Sequence, residues 1–410
     1  MRKPGKHAII FIFITVLIDM IGFGLIIPVM PELIKGLTGQ EAPSAAVMGG
    51  WLMTLYAGMQ FVFAPVVGGL SDRFGRKPIL LIALAGFTVD YLIMGFSGSF
   101  TVLFIGRAVS GIFGASYTTA SAYIADISTP EKRAANFGLI GAAFGLGFIL
   151  GPVIGAFLGH EFGARAPFFA AAALAGLNFI YGLIVLPESL AKENRRAFDW
   201  KRANPFGALM QIRKYPVVYV LLGSLFVMML AHSVFPTTWT YFGNHRFDWG
   251  PREIGLSLGA VGLMTALVQG GLTRLVVPKI GEWRTIMFAI SVAVITYTAY
   301  GFATEAWMIY AIIAVGALGG LGQPALQAVM TRRIPANAHG ELQGAVTSLQ
   351  GLSMVLGPQI MPRVFKFFSS DGAPVYMPGA SFFLAGALTL IALIIALKAR
   401  RRDGATSPAE

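Results

Sequence analysis

Twelve apolar stretches follow one another along this chain, at approximately 8–34, 45–70, 78–96, 101–127, 132–158, 165–186, 216–243, 252–277, 284–303, 306–331, 342–367 and 379–397. Each is long enough to cross about 30 Å of hydrocarbon as a helix. A lipid core offers no water to backbone amides, so continuous apolar runs of this length satisfy their hydrogen bonds only as helices. Hydrophobic residues make up 56% of the 410 positions and charged residues 12%. That is too little charge to cover a folded surface in water. The chain reads as an all-α membrane protein of twelve transmembrane helices. Its 50 glycines point to close helix–helix contacts. The absence of cysteine excludes disulfides, thiolate catalysis and cysteine metal sites.

A net charge of +12 would suit a nucleic-acid partner, but its placement argues against one. Of the 31 Lys and Arg, 24 lie in the N-terminal tail, the even-numbered connections and the C-terminal tail; six lie in the odd-numbered connections, and Arg107 sits within the fourth span. This is the positive-inside bias, and it places both termini in the cytoplasm. The first apolar stretch continues into Pro28 and Pro31 with no small-residue cleavage site, so it is expected to remain as a span.

The one sizeable polar interruption, 187–214, divides the chain into 6 + 6 spans. The expected organisation is an N-terminal six-helix bundle over 1–186, a cytoplasmic loop over 187–214, a C-terminal bundle over 215–398, and a disordered polar tail over 399–410. A trace of repetition joins the halves. Gly138 precedes Gly151-Pro152 in the fifth span as Gly344 precedes Gly357-Pro358 in the eleventh, at the same spacing. Two related bundles with a substrate site near the membrane midplane are a common transporter plan.

Two aspartates stand inside apolar runs, Asp19 in IFITVLIDMIGFGLIIP and Asp90 in ILLIALAGFTVDYLIMGF. They are the only carboxylates that fall deep in a span. A charge at the bilayer centre costs roughly 2.5–3.5 kcal/mol on insertion scales, so such groups usually handle an ion, a proton or a charged substrate. At about 1.5 Å per residue, Asp19, Asp90 and Arg107 fall at one depth near mid-membrane. A nearby Arg and dehydration act on a carboxylate's proton affinity in opposite senses. Alternating exposure would switch that balance and let a carboxylate load and release a proton. The same layer also reads as a static buried ion pair.

Two motifs bear on movement. The connection after the second span is Gly68-Gly69-Leu70-Ser71-Asp72-Arg73-Phe74-Gly75-Arg76-Lys77. Its glycines permit a tight turn, and Asp72 is suited either to accept from helix N-terminal amides or to pair with a cation as a breakable latch. The fifth span carries Gly138, Gly147, Gly151-Pro152 and Gly155, giving a smooth packing face with a bend at the proline.

The first motif matches the G-x-L-[AS]-D-R-x-G-R-[RK] pattern of the major facilitator superfamily at every defined position. The second resembles the fifth-helix motif of that superfamily's drug exporters, and Arg107 with Gly111 resembles its R-x-x-x-G motif. The stretches IDMIGFGLIIPVMPEL, LYAGMQFVFAPVVGGLSDRFGRKPILL, GAAFGLGFILGPVIGA and PALQAVMTRRIPANAHGELQGAVTSL resemble the bacterial tetracycline/proton antiporters. The resemblance implies a major facilitator fold in a bacterial inner membrane and efflux of a tetracycline-like or other lipophilic drug against protons, with no cofactor and as a monomer. It implies that Asp19 and Asp90 serve coupling or cation recognition, Gln60 and Gln269 the substrate site, Arg107 a charge relay, and Gly68, Asp72, Arg73, Gly75 and Arg76 a gating loop. The chain departs from the family in the second half, where Ala293 replaces an acid of the ninth span and Thr265 a histidine of the eighth. Coupling then falls to Asp19 and Asp90.

Weaker candidates keep two readings each. His232 titrates near neutral pH or packs as a hydrogen-bonded residue. Phe235, Trp239 and Tyr241 line an aromatic pocket or belong to the interfacial belt. Gln323, Gln327 and Gln350 bind a polar substrate or bridge helices. An uncoupled facilitator or metabolite exporter of the same fold is the alternative function. A receptor would need a large extramembrane domain, and an enzyme a poised nucleophile; neither feature is evident, nor is a phosphate-binding loop.

Overall fold

The computed structural model describes residues 6–128, 130–196, 210, 212–335 and 338–406. Part of the 187–214 loop and the last four residues of the tail lie outside the described residues. The helices are α1 (Lys6–Ile26), α2 (Met30–Thr38), α3 (Ala42–Phe74), α4 (Arg76–Gly95), α5 (Phe100–Gly114), α6 (Ser116–Ile127), α7 (Pro130–Phe162) and α8 (Ala166–Val185), then α9 (Pro216–His232), α10 (Val234–Phe247), α11 (Pro251–Leu267), α12 (Thr273–Ile280), α13 (Glu282–Phe302), α14 (Ala306–Gly316), α15 (Gly322–Arg332), α16 (His339–Ser369) and α17 (Ala380–Thr406). Nine helices among the described residues are long and apolar enough to cross a membrane, or ten if the bent pair α1–α2 is one span. The other two expected spans fall on α11–α12 and on α16, the latter diluted by glutamines, serines and two internal prolines.

Several spans are broken, and the breaks have local causes. Pro28 and Pro31 separate α1 from α2. Pro236 lacks the amide that would bond the His232 carbonyl, and the helix breaks at Ser233. A five-residue π-turn, Val268–Leu272, joins α11 to α12, and a 3₁₀ turn, Ala317–Leu321, joins α14 to α15.

The chain forms two compact units, one of Met1–Glu41, Trp51–Asn204 and Gly250–Gly259, the other of Ala42–Gly50, Pro205–Trp249 and Ala260–Glu410. They are not the contiguous halves of the sequence division. Glycines explain the exchange: a Cβ on Gly49 would strike the Tyr241 hydroxyl, and one on Gly50 the Pro358 carbonyl, so the start of α3 packs within the second unit. Likewise a Cβ on Gly255 would lie 3.0 Å from the Pro152 carbonyl, which seats the start of α11 within the first.

In the first unit, Gly147, Gly151 and Gly155 of the fifth span face α1. A Cβ on Gly147 would lie 2.5 Å from Met20 Cβ, on Gly151 2.8 Å from the Ile21 carbonyl, and on Gly155 on top of the Leu25 carbonyl. Gly159, which the motif did not include, continues the strip against Val29. Pro152 itself abuts Gly24. Lipid supplies no hydrophobic drive for helix association, so this backbone-to-backbone closeness is what fixes α1. In the second unit the expected disordered tail is instead helical: α17 continues through Thr406, and Asp403 near its end is 4% exposed. Arg333 pairs with that carboxylate at 2.7 Å and the Trp283 indole donates to it at 2.9 Å. Two distant side chains thus hold a segment whose local composition reads as loose.

Candidate functional site

The first unit carries Asp19, Asp90 and Arg107 within its apolar helices. Asp90 on α4 is 1% exposed, and Arg107 on α5 is 7% exposed. Ser110, one turn beyond Arg107, donates its hydroxyl to Asp90 Oδ2. The other oxygen, Oδ1, has no hydrogen-bond partner among the described residues. Room for it comes from Gly106, where a Cβ would lie 3.0 Å from that oxygen. A buried carboxylate oxygen without a donor is costly, on the order of 1–3 kcal/mol or more, and such atoms call for a functional explanation.

Arg107 pairs with neither aspartate among the described residues. Its guanidinium lies over the Tyr56 ring, 4.6 Å from the centroid. Gly111 lets α5 approach α3 there, since a Cβ would collide with the Tyr56 carbonyl. Gln60, a turn further along α3, donates to the Gly114 carbonyl at 2.9 Å. Asp19 on α1 is half-buried. Tyr91 reaches α1 one turn away at Gly22, and Asp19, Asp90 and Arg107 all interact electrostatically with both Tyr56 and Tyr91. The static ion pair is therefore not what this layer holds: a cation on a tyrosine face is surrounded by two acids that it does not touch. Ser110, Tyr56 and Tyr91 were missed by sequence reasoning, because a hydroxyl among apolar residues carries no periodic signal.

The gating loop is assembled at the junction of α3 and α4. Arg76 Nη1 lies 2.5 Å from Asp72 Oδ1 and 2.6 Å from Ser71 Oγ, and its Nε lies 3.1 Å from Asp126 Oδ2 at the end of α6. Asp72 thus takes the cation-pairing role and leaves the helix start to another acid. Glu188, just after α8, accepts from the amides of Arg76 at 2.8 Å and Lys77 at 3.3 Å. Gly75 has φ +108°, and a Cβ there would collide with Glu188 Oε2. Glycine is required on both counts. Arg73 stands apart, its guanidinium over Phe74, and Gly68 contributes its carbonyl to Ser71. The signal for Asp126 and Glu188 was an acid at a span end in a basic region.

In the second unit the candidates divide. His232, at the break before Ser233, is exposed and its Nδ1 is 3.2 Å from the Tyr297 hydroxyl. Phe235 is half-buried between the rings of His232, Tyr297 and Tyr300. Trp239 and Tyr241, expected in a pocket wall, are 2% and 5% exposed. Trp239 packs against Phe235, Tyr300 and Phe382 and so belongs to a buried aromatic cluster rather than to an exposed surface. Gln269 is exposed on the π-turn and close to Gly320 of the 3₁₀ turn, which leads directly into exposed Gln323. The two irregular turns thus bring these glutamines onto neighbouring elements.

A family model of the major facilitator superfamily matches residues 12–358. The chain is 39% identical to the class C tetracycline resistance protein of Escherichia coli over 93% of its length and 95% of that protein's. It is 34% identical to the class B protein of Escherichia coli, over 86% and 87%. Hippocampus abundant transcript 1 protein of Homo sapiens is 26% identical, over 95% and 83%. Among solved structures, a bacterial homologue of the human lysosomal transporter Spinster, inward-facing and occupied, superposes with a TM-score of 0.77 at 14% identity, over 98% of both chains. The human organic anion transporter MFSD10 gives 0.65 at 22% identity, over 95% of this chain and 99% of its own. The neighbours are transporters rather than enzymes, and this chain is a membrane transporter belonging to the major facilitator superfamily, in the family of the tetracycline resistance proteins.

Proposed function

We propose that the protein exports a lipophilic or amphipathic drug, tetracycline-like or broader, in exchange for protons by alternating access. It would work as a monomer in a bacterial inner membrane, with both termini cytoplasmic. The observation that carries this reading is the Asp90 carboxylate. One oxygen is held by Ser110, and the other is buried without a donor beside a cation that does not neutralise it. A proton on Oδ1 supplies the missing hydrogen and removes the buried charge in one step. Arg107 is parked on the Tyr56 ring rather than paired with the carboxylate. Asp19, half-buried on α1, is the acid offered to a cationic substrate, and Gln60 is a hydrogen-bonding group of the same unit. Phe235 and His232 supply an aromatic face in the second unit. The sequence carries no phosphate-binding loop of the G-x-x-x-x-G-K-[ST] type, which leaves an ion gradient or the substrate's own gradient as the drive.

The test uses purified protein in liposomes with an imposed pH gradient, following lumenal pH as tetracycline or a panel of cationic dyes is added. Substrate-evoked proton movement, lost in Asp90→Asn and in Asp19→Asn, is the expected result. Substrate flux that persists without a gradient and in both variants would replace antiport with facilitated diffusion.

A further inference from the structure

The outward surfaces of α13 and α17 each end in cations. Along α13, Arg284, Phe288, Ile295 and Phe302 recur on one helical face, and all four are exposed. Along α17 the exposed apolar stripe is Leu390, Ile391, Ile394 and Leu397, each 40–47% exposed, and Lys398 and Arg401 continue the same face. The opposite face of α17, Ala392, Ala396, Ala399 and Asp403, is buried. The two helices pack along their length: a Cβ on Gly386 would lie 2.9 Å from Thr298, and one on Gly301 2.6 Å from Phe383. The Trp283–Asp403 bond ties the start of α13 to the end of α17, so all three cations stand at one end of this seam.

The acids at that end are already engaged. Glu282 pairs with Arg332 at 2.9 Å, and Asp403 takes Arg333 and Trp283. Among the described residues no carboxylate pairs with Arg284, Lys398 or Arg401. Because Asp403 is held on the inner face, α17 cannot rotate its cations away from lipid.

We propose that this seam is a binding site for an anionic phospholipid of the membrane, with its phosphate on Arg284, Lys398 and Arg401 and its acyl chains along Phe288, Ile295 and Ile394. A soluble anion would gain only the charge. A lipid gains the charge and the apolar stripe directly below it, and basic residues at the headgroup level favour anionic lipids. The site is independent of the cargo and of proton coupling, and requires only that α13 and α17 lie in a bilayer.

Trp283 reports on it. The full chain is reconstituted in phosphatidylcholine vesicles containing either brominated phosphatidylglycerol or brominated phosphatidylcholine, and the Trp283 part of the fluorescence is taken by difference from Trp283→Phe. Phosphatidylglycerol is expected to quench it severalfold more strongly at equal mole fraction. That preference should vanish in Arg284→Gln/Lys398→Gln/Arg401→Gln, with quenching by phosphatidylcholine unchanged, and persist in the charge-conserving Arg284→Lys/Arg401→Lys. Equal quenching by both lipids in the unmodified chain, or a preference that survives the triple glutamine variant, would overturn the proposal.

Discussion

At the scale of single residues, the layer around Asp90 is governed by what is withheld from it. Ser110 gives one hydrogen bond, Gly106 gives space, and Arg107 keeps its charge on Tyr56. Tyr56→Phe keeps a ring under the guanidinium and should preserve most transport. Tyr56→Leu removes a cation–π contact worth about 0.5–2 kcal/mol and frees Arg107 to move toward an acid. Proton-coupled uptake into inverted vesicles should therefore fall much further for leucine than for phenylalanine; equal losses would mean that the ring face is irrelevant. At the other polar cluster, Glu188→Ala strips two amides at the start of α4 of their acceptor. The expected loss is about 1–3 kcal/mol in thermal unfolding. Glu188→Gln, which still accepts, should lose less.

At the scale of elements, the helices are joined by glycine contacts whose tolerance differs residue by residue. Gly155→Ala forces the backbone of α1 to move, because the new methyl lands on the Leu25 carbonyl. Gly145, on the same helix, meets nothing within 4 Å, so Gly145→Ala should be neutral or gain up to about 1 kcal/mol from helix propensity. Melting the two variants side by side in detergent tests whether the strip, rather than glycine content as such, holds α1.

The separation that relates Gly151-Pro152 to Gly357-Pro358 also relates Gly75-Arg76 to Gly281-Glu282, and Asp126 to Arg332. Both glycines have positive φ, and both following residues bridge to the end of the fourth span of their half. The charges are inverted. Arg76 at the start of α4 and Asp126 at the end of α6 oppose their helix dipoles and depend on each other, whereas Glu282 and Arg332 each suit their own helix end. Exchanging the second pair, Glu282→Arg with Arg332→Glu, keeps an ion pair but sets both charges against their dipoles. Stability should drop by about 1 kcal/mol, after allowing for solvent screening at exposed Arg332; an unchanged melting temperature would show that the dipoles do not matter here.

At the scale of the whole molecule, the sequence shows what stands out against lipid and hides what resembles it. Asp19, Asp90 and Arg107 were legible because a charge in an apolar run has few purposes. Asp72 and Arg76 were legible because their loop follows a fixed pattern. The burial of Trp239 and Tyr241 was not, since lipid-facing and core-facing positions are equally apolar and periodicity cannot tell them apart. Nor were Glu188 or the Asp403 anchor, whose partners lie far off along the chain. Which unit the starts of α3 and α11 belong to escaped for a similar reason, because Gly49 and Gly255 announce a close contact without naming the partner.

The π-turn between α11 and α12 has a consequence for how such a chain changes length. A π-turn holds one residue more than the α-helix around it needs, and the flanking helices keep their faces despite the surplus. Deleting Gly271, which meets nothing within 4 Å, should return the segment to plain α-helix with α11 and α12 still in register. The turn is thus a place where a transmembrane segment can gain or lose a codon without every later side chain turning to the wrong face.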